Sequence, residues 1–539
     1  MCSIPPSARS RRSPPRSGRP SRDPGEAMIT RVAPRGLPAL LALTLWLAAP
    51  AAAQPSGTMT WGVHVTLATK WLDPAEVEAD ITPFMIHYAL HDALVKPMPG
   101  NLNTPSLAES WTMSKDGRTW EFVLRKNTRF HNGDPVSAED VKFSFERYRG
   151  AAATLFKDRV REVQVVDPGR VRFHLKDPWP DFMTFYGTSA SGAGWIVPKK
   201  YVEKVGEDGF RRAPIGAGPY KFVSFQPGVE LVLEAFDGYW RKTPSVKRLV
   251  LRSVPDEATR AAALKRGDID VTYLLNGPIA ADVRRTPGLT LTAMRTNGVL
   301  WVEFPEQWTS GSPWADRRVR LAANLAIDRQ AINEAEALGY SGPTGNIVPR
   351  HQEFALAIEP HPYDPKRAKA LLAEAGYANG FDAGDLTPFP PYNGMGEAIA
   401  NYFAAVGIRT RLRTMERAAL LSAWRDHKLR GVFVGATGSA GNASTRLEAF
   451  VTSKGGFTYG TIPEVESLFA RQIQEMDRKK REEMLHQIQR ILADRVTFAP
   501  IWENGFIRAF GPRVEESGLT LIQSFPYSAP LEDVRLKKQ

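Results

Sequence analysis

The chain has 539 residues, of which 43% are hydrophobic and 24% charged, values typical of a globular protein. This length exceeds what one compact core organises, so two or three domains are expected. The single cysteine, Cys2, excludes an intrachain disulfide, and it excludes cysteine-based metal binding or catalysis in the rest of the chain.

The N-terminal region 1–53 has the pattern of a secretory signal. Arg31 and Arg35 precede the apolar run LPALLALTLWLAAP, and small alanines follow it. The run is shorter than the roughly 20 residues that span a bilayer. We predict cleavage after Ala53, and Met28 is a candidate start because the Arg-, Pro- and Ser-rich residues before it do not resemble a signal. No cysteine follows the run, so we expect a soluble periplasmic protein without a lipid anchor.

The charge argues against a nucleic-acid partner. Eight arginines and two acidic residues lie in the signal region, so half of the net charge of +12 belongs to it. The remaining +6 is a mild excess over a large surface. It is compatible with anionic ligands, and it lacks the clustered basic residues of a nucleic-acid-binding module.

The first strong local signals lie between residues 118 and 148. Apolar residues alternate in Arg118–Leu124 ("RTWEFVL"), which predicts a half-buried strand. Asn132–Gly133 predicts a turn, and Ser137 is a helix N-cap followed by two acidic residues in the first turn. Val141 and Phe145 then lie four residues apart, on one helix face.

The second half of the chain alternates between strand and helix patterns. Pro227–Gly228 separates two strand-like runs and predicts a hairpin. The following segment predicts a strand, a helix from Asp256 to Gly267 and a second strand, which is a βαβ unit with a parallel sheet. Asp364 caps another helix, and Pro463–Arg495 predicts a long amphipathic helical region. The predicted class is therefore α/β with mixed sheets.

Motifs of catalysis are absent from the sequence. There is no phosphate-binding GxxxxGK[ST] loop and no GxSxG nucleophile elbow. His87 and His91 have a metal-compatible spacing but no third ligand, so we predict that they pack one helix against its neighbours. The Gly/Ser-rich segment Gly435–Phe450 is compatible with an anion site at a helix start and equally with a plain surface loop. No catalytic residue, metal or cofactor is predicted, and the chain is not expected to be an enzyme.

Aromatic residues favour binding over catalysis. The chain has 13 tryptophans, and turn signals surround Trp71, Trp301 and Trp308. Ligand pockets are mostly apolar and aromatic, with few polar anchors. The pattern therefore indicates a protein that binds a small molecule.

Five blocks of sequence occur in an order typical of one family. They read PSLAESWTMSKDGRTWEFVLRKNTRFHNGDPVSAEDVKFSFERY, PIGAGPYKF, FDGYWRKTPSVKRLVLRSVPDEATRAAALKRGDIDV, DRRVRLAANLAIDRQAI and YDPKRAKALLAEAGY. From Trp61 to about Asp533 the chain resembles the family 5 extracellular solute-binding proteins of ABC importers, the dipeptide-, oligopeptide- and nickel-binding group.

The resemblance implies a two-lobed periplasmic binding protein fold with mixed sheets and an extra subdomain in lobe I. The implied lobes are discontinuous in sequence, because connections cross between them near Asn297–Phe304 and Val496–Glu503. The implied division assigns 54–95, 214–297 and 498–539 to the lobe I core, 96–213 to the accessory subdomain and 298–497 to lobe II.

The resemblance also implies a function. The chain would capture a peptide-like or other small polar solute between two closing lobes and deliver it to an inner-membrane permease and ATPase complex. It would act as a monomer without cofactor or nucleic acid. The alternatives are a secreted hydrolase, and a periplasmic chaperone or sensor-docking protein built on the same fold.

One departure from the family bears on the ligand. Peptide-binding members carry an acidic residue in the loop corresponding to Gly435–Arg446, where it pairs with the ligand's ammonium group. Here the loop reads GATGSAGNASTR and has no acid, nor the aromatic residues and histidine of nickel-chelate binders. An unpaired buried ammonium is costly, which argues against peptides held by their N-terminus. Arg446 is either a clamp for a carboxylate or phosphate or a solvated helix-start arginine. The predicted ligand-binding residues are Lys70, Trp71, Trp301, Tyr392, Ser439, Asn442 and Arg446.

Overall fold

The computed structural model describes residues 54–77, 82–150, 152–188, 190–437 and 441–538. The predicted signal region and Ser439 lie outside these residues. Within the described ranges, no helix has both the length and the apolar character needed to cross a membrane.

The described residues form 21 strands, and many are short. In chain order they are β1 (Ser56–Val63), β2 (Asp92–Ala93), β3 (Val95–Met98), β4 (Asn101–Pro105), β5 (Ala108–Met113), β6 (Thr119–Leu124), β7 (Val160–Asp167), β8 (Arg170–Leu175), β9 (Trp195–Ile196), β10 (Tyr220–Gln226), β11 (Glu230–Ala235), β12 (Val246–Ser253), β13 (Val271–Tyr273), β14 (Thr290–Glu303), β15 (Gly342–Pro343), β16 (Phe381–Thr387), β17 (Ile408–Leu412), β18 (Val432–Thr437), β19 (Phe498–Phe510), β20 (Val514–Glu516) and β21 (Arg535–Leu536).

The same residues form 15 α-helices. They are α1 (Phe84–Leu90), α2 (Ala138–Glu146), α3 (Ala153–Arg159), α4 (Phe182–Tyr186), α5 (Lys199–Arg212), α6 (Glu257–Arg266), α7 (Gly277–Arg285), α8 (Arg317–Ala326), α9 (Arg329–Ala337), α10 (Pro365–Glu374), α11 (Asn393–Val406), α12 (Arg417–Arg425), α13 (Ala443–Val451), α14 (Pro463–Gln472) and α15 (Arg478–Asp494).

One mixed sheet runs through both lobes. Its strand order is β10-β11-β12-β1-β13-β19-β14-β18-β16-β17, and β15 pairs with β19. Parallel pairing joins β12 to β1, β1 to β13, and β16 to both β17 and β18; the other pairs in the sheet are antiparallel. This arrangement confirms the predicted α/β class. The predicted βαβ unit is β12, α6 and β13, and β1 from the start of the chain lies between its two strands.

The two long central strands connect the lobes. The segment Thr290–Arg295 of β14 pairs with β19 from Gly505 onward, in lobe I. The pairing is interrupted after Arg295 and resumes at Val299, opposite Glu503 in lobe II. The interruption at residues 296–298 and 504 is called the hinge below. Of the crossing segments predicted from the sequence, Asn297–Phe304 begins within the hinge, and Val496–Glu503 ends just before it.

Each lobe has its own core. The accessory subdomain contains the antiparallel sheet β5-β6-β8-β7, packed on an aromatic core that includes Phe122, Phe173, Phe182 and Tyr186. One core under β1 and β12 and a smaller one between α6 and α7 lie in lobe I, and two further cores lie in lobe II. The predicted lobe boundaries stay a prediction, and Phe498, Ala499, Ile501 and Trp502 pack in the lobe II cores, on the other side of the predicted boundary at 498.

Most of the predicted helix starts are confirmed, because capping depends on residues close in sequence. Ser137 precedes α2, and its N–H donates to the Asp140 carboxylate at 2.9 Å. Asp256 and Asp364 cap α6 and α10 by accepting backbone N–H bonds. The predicted helical region Pro463–Arg495 consists of two helices, α14 and α15, and Asp477 caps the second one.

Candidate functional site

A cavity of about 260 Å³ lies between the lobes, beside the hinge. Both lobes and the hinge contribute to its wall, which is the geometry expected of a site that closes on a ligand. The lining residues are Met98, Gly100, Asn101, Leu102, Asn103, Thr184, Gln523, Ser524 and Phe525 of lobe I, Asn297 of the hinge, and His351, Gln352, Glu353, Gly441 and Asn442 of lobe II.

Two polar atoms of the lining are buried and have no hydrogen-bond partner in the described part of the chain. The Oδ1 of Asn297 and the Oγ of Ser524 make no hydrogen bond to the described residues, although each side chain is only 4% exposed. The two residues lie close together, since a β-bridge joins Ser524 to Thr296 beside Asn297. Leaving such groups unsatisfied costs roughly 1–3 kcal/mol each, so they are suited to bond a ligand.

Asn442 is the predicted site residue that lines the cavity. It caps α13 by accepting the N–H of Thr445 at 3.2 Å. Its Nδ2 donates to the carboxylate of Asp181 at 2.6 Å, and Asp181 belongs to the accessory subdomain. Asn442 therefore forms part of the cavity wall and also joins the two lobes.

Asp181 is a residue that the sequence interpretation missed. Its other carboxylate oxygen accepts from the Arg481 guanidinium of lobe II, and both side chains are buried. Arg481 Nε also donates to Gln472 at 3.0 Å. We call Asp181, Asn442 and Arg481 the interlobe bridge. Asp181 and Arg481 are 300 positions apart, and no local pattern marks such a pair.

Tyr392 lies at the hinge. It precedes α11, and its hydroxyl accepts from Asn504 Nδ2 at 2.8 Å. Burial raises the pKa of the phenol, which keeps it a neutral hydrogen-bonding group. Tyr392 thus contacts the point where β19 crosses between the lobes, and it is not among the cavity's lining residues. Its contact with ligand stays a prediction.

Arg446 is buried in lobe II, so the solvated-arginine alternative was wrong. Its side chain is 0% exposed, and it donates to the carbonyls of Asn297 at 2.6 Å and Ile347 at 3.1 Å. Burial lowers its pKa to about 9. The guanidinium is thereby used to hold the hinge, and Arg446 is not among the residues that line the cavity.

Trp301 is also an interior residue. Its ring is fully buried and packs edge-on against Trp424, Phe450 and Phe498. Its Nε1 donates to the carboxyl of Glu303 at 3.1 Å. The turn signals that suggested a pocket wall flank the end of a core strand, and the ring faces the aromatic core of lobe II.

The buried Glu303 gives a testable pH effect. Burial raises its pKa to about 8, so the folded protein holds a proton that the unfolded chain releases above about pH 4.5. Stability from this group falls by about 1.4 kcal/mol for each pH unit between those values. Glu303→Gln accepts the same bond from Trp301 but does not titrate. In urea unfolding, we expect the free energy of unfolding of the variant to rise relative to that of the wild type between pH 5 and pH 8. The same pH dependence of unfolding free energy in both proteins would contradict this.

Lys70 and Trp71 lie in a short 3₁₀ turn of lobe I, Thr69–Leu72. Lys70 is exposed and Trp71 half-buried, and neither lines the cavity. His87 and His91 bond the carbonyls of Trp71 and Leu72, each at 3.0 Å. Burial lowers the pKa of these histidines to about 3 and about 4. The histidines therefore pack α1 against this turn, and the described part of the chain has no cluster of three metal-ligating side chains.

Comparison with known proteins identifies the family. Residues 104–458 match the family model described as bacterial extracellular solute-binding proteins, family 5 Middle. The heme-binding protein A of Haemophilus influenzae is 27% identical over 447 residues, which is 76% of this chain and 81% of that protein. The dipeptide-binding protein of Escherichia coli is 29% identical over 428 residues, covering 72% and 79% of the two chains.

Solved structures show the same fold. The ABC transporter substrate-binding protein CtaP of Listeria monocytogenes superimposes with a TM-score of 0.79 at 21% identity, over 90% of this chain and all of that one. With the family match across two thirds of the sequence, this chain belongs to the family 5 extracellular solute-binding proteins.

Proposed function

We propose that this chain is the substrate-binding component of an ABC importer, which captures a small polar or peptide-like solute and delivers it to a permease. The observation that carries the proposal is the cavity beside the hinge, with walls from both lobes. Relatives bind chemically different ligands, as heme-binding and dipeptide-binding proteins are both similar to this chain. The fold therefore supports capture without specifying the ligand.

Capture would work by a shift between open and closed lobes. A solute in the cavity contacts both lobes only when they are closed, so its binding energy favours the closed state. The opening and closing motion would bend the chain at the hinge in β14 and β19. The interlobe bridge, and the bond between His351 of lobe II and Gln523 of lobe I at 3.3 Å, form only when the lobes meet. The permease would then recognise the closed shape.

The cavity favours binding over hydrolysis. Its serine, Ser524, makes no hydrogen bond to a basic side chain among the described residues, which supports binding over nucleophilic catalysis. His351 bonds Gln523, and the Glu353 carboxylate pairs with Arg478 at 3.1 Å. The proposal also includes export directed by the predicted signal region 1–53. The exported protein would act as a monomer and would deliver its solute to an inner-membrane permease and ATPase complex.

A cavity-blocking variant tests where the solute binds. Leu102→Trp adds an indole at the rim of the cavity and leaves the cores untouched, because Leu102 is 42% exposed. We expect native mass spectrometry to show a bound solute on the wild-type protein and none on this variant. Val166→Trp is the control, since Val166 is exposed on the same subdomain and does not line the cavity. Retention of the solute by Leu102→Trp would place the site elsewhere.

A further inference from the structure

The cavity lining consists mainly of uncharged hydrogen-bonding groups. Among its described residues, carboxamides predominate, two side chains carry hydroxyls, and none is lysine or arginine. A carboxamide offers both donors and acceptors, so it suits neutral polar ligands. The carboxamides are Asn101, Asn103, Asn297, Gln352, Asn442 and Gln523, and the hydroxyls are those of Thr184 and Ser524.

Three charged side chains at or beside the cavity already have partners within the protein. Asp181 is held by Arg481 and Asn442, and the Glu353 carboxylate pairs with Arg478. Arg446 donates to backbone carbonyls behind the wall. Residues 438–440, which precede Gly441 of the lining, read Gly-Ser-Ala and add no charge.

A charged ligand would lose hydration in this cavity, whose described wall has no lysine or arginine and whose one described carboxylate, Glu353, is already paired with Arg478. Burying an ionised carboxylate or ammonium without a partner is far more costly than burying a hydroxyl or amide that is hydrogen-bonded. Neutral polar groups of a ligand can instead be hydrogen-bonded in this cavity. Asn297 Oδ1 and Ser524 Oγ have no partner among the described residues, and a ligand hydroxyl or amide N–H would satisfy them.

We propose that the cavity takes an uncharged solute that binds through several hydroxyl or amide groups. The inference rests on the proposed function and adds the chemical class of the ligand. The shared chemistry is neutral hydrogen bonding, which both a small carbohydrate and a peptide with blocked ends provide.

Matched probes separate charge from size. The protein is unfolded, dialysed and refolded to remove bound solute. It is then titrated calorimetrically at millimolar concentrations with dipeptides having free ends, with the same dipeptides carrying N-acetyl and C-amide groups, and with uncharged mono- and disaccharides. We expect at least one neutral probe to bind. We also expect each blocked dipeptide that binds to have at least tenfold higher affinity than the same dipeptide with free ends. The two neutral sets distinguish amide from hydroxyl recognition.

The outcomes separate this inference from the proposed function. Tighter binding of a free dipeptide than of its blocked form, or no binding by any neutral probe, overturns the inference. Lobe closure with a free dipeptide, seen by X-ray scattering, would leave the proposed function standing. Ser524→Ala removes a hydroxyl that bonds nothing else in the described structure, so it should fold normally. We expect this variant to bind the tightest neutral probe with three- to tenfold lower affinity than the wild type. Unchanged affinity would count against the inference.

Discussion

Replacing Asp181 by alanine is expected to open the lobes and to weaken solute binding about 100-fold. In the closed structure the change leaves the buried Arg481 guanidinium without its counter-ion, which costs roughly 3–5 kcal/mol. In the open state water hydrates the Arg481 guanidinium. The substitution therefore destabilises mainly the closed state. A shift of about 3 kcal/mol corresponds to two orders of magnitude in apparent affinity.

The measurement combines calorimetric affinity with the distance between fluorescent labels on the two lobes. The chain's single cysteine, Cys2, lies in the predicted signal region, which simplifies labelling at engineered cysteines. Asp177→Ala is the matched control, because Asp177 is 78% exposed and lies 3.6 Å from Arg118 of the same subdomain. It should leave closure unchanged. If Asp181→Ala closed like the wild type and bound solute with the same affinity, the interlobe bridge would not contribute to closure.

Replacing Arg446 by methionine is expected to destabilise lobe II by about 3 kcal/mol. The variant keeps an unbranched apolar stem but removes the donors to the carbonyls of Asn297 and Ile347. Each unsatisfied buried carbonyl costs roughly 1–3 kcal/mol, and relief from burying the charge offsets part of the total. Because the Asn297 carbonyl belongs to the hinge, we also expect faster hydrogen exchange in β14.

Urea unfolding followed by tryptophan fluorescence measures this change, since Trp301 and Trp424 lie in the lobe II core. The control is Arg425→Met, because Arg425 is exposed and surface changes rarely exceed about 0.5 kcal/mol. If Arg446→Met unfolded like the control, the two carbonyl bonds would not contribute to stability. A large loss of solute affinity without loss of stability would instead favour the ligand clamp predicted from the sequence.

Local features of the fold were predictable because their causes are local. Ser137, Asp256 and Asp364 cap helices through N–H groups or side chains three residues away. The hairpin at Pro227–Gly228 follows from one turn, where Gly228 has a φ of 72°. Pairings between distant segments have no such signal. The insertion of β1 between β12 and β13, and the joining of both lobes into one sheet, were accordingly missed.

The fold brings only some of the predicted site residues to the cavity. Asn442 lines the cavity, and a helix-start signal marked its position. Trp301 and Arg446 had equally plausible sequence contexts but face the interior, because the direction of a side chain depends on what packs over it. Asp181 was missed since its partners, Asn442 and Arg481, lie 261 and 300 positions away. The six carboxamides of the lining come from distant segments that only the fold brings together.

Small-angle X-ray scattering with and without bound solute tests the central claim most directly. Protein freed of solute by unfolding and refolding should show a larger radius of gyration than the native preparation, because the lobes separate at the hinge. Returning the released solute should restore the smaller value in proportion to occupancy. An unchanged radius of gyration at saturating solute would contradict capture by lobe closure.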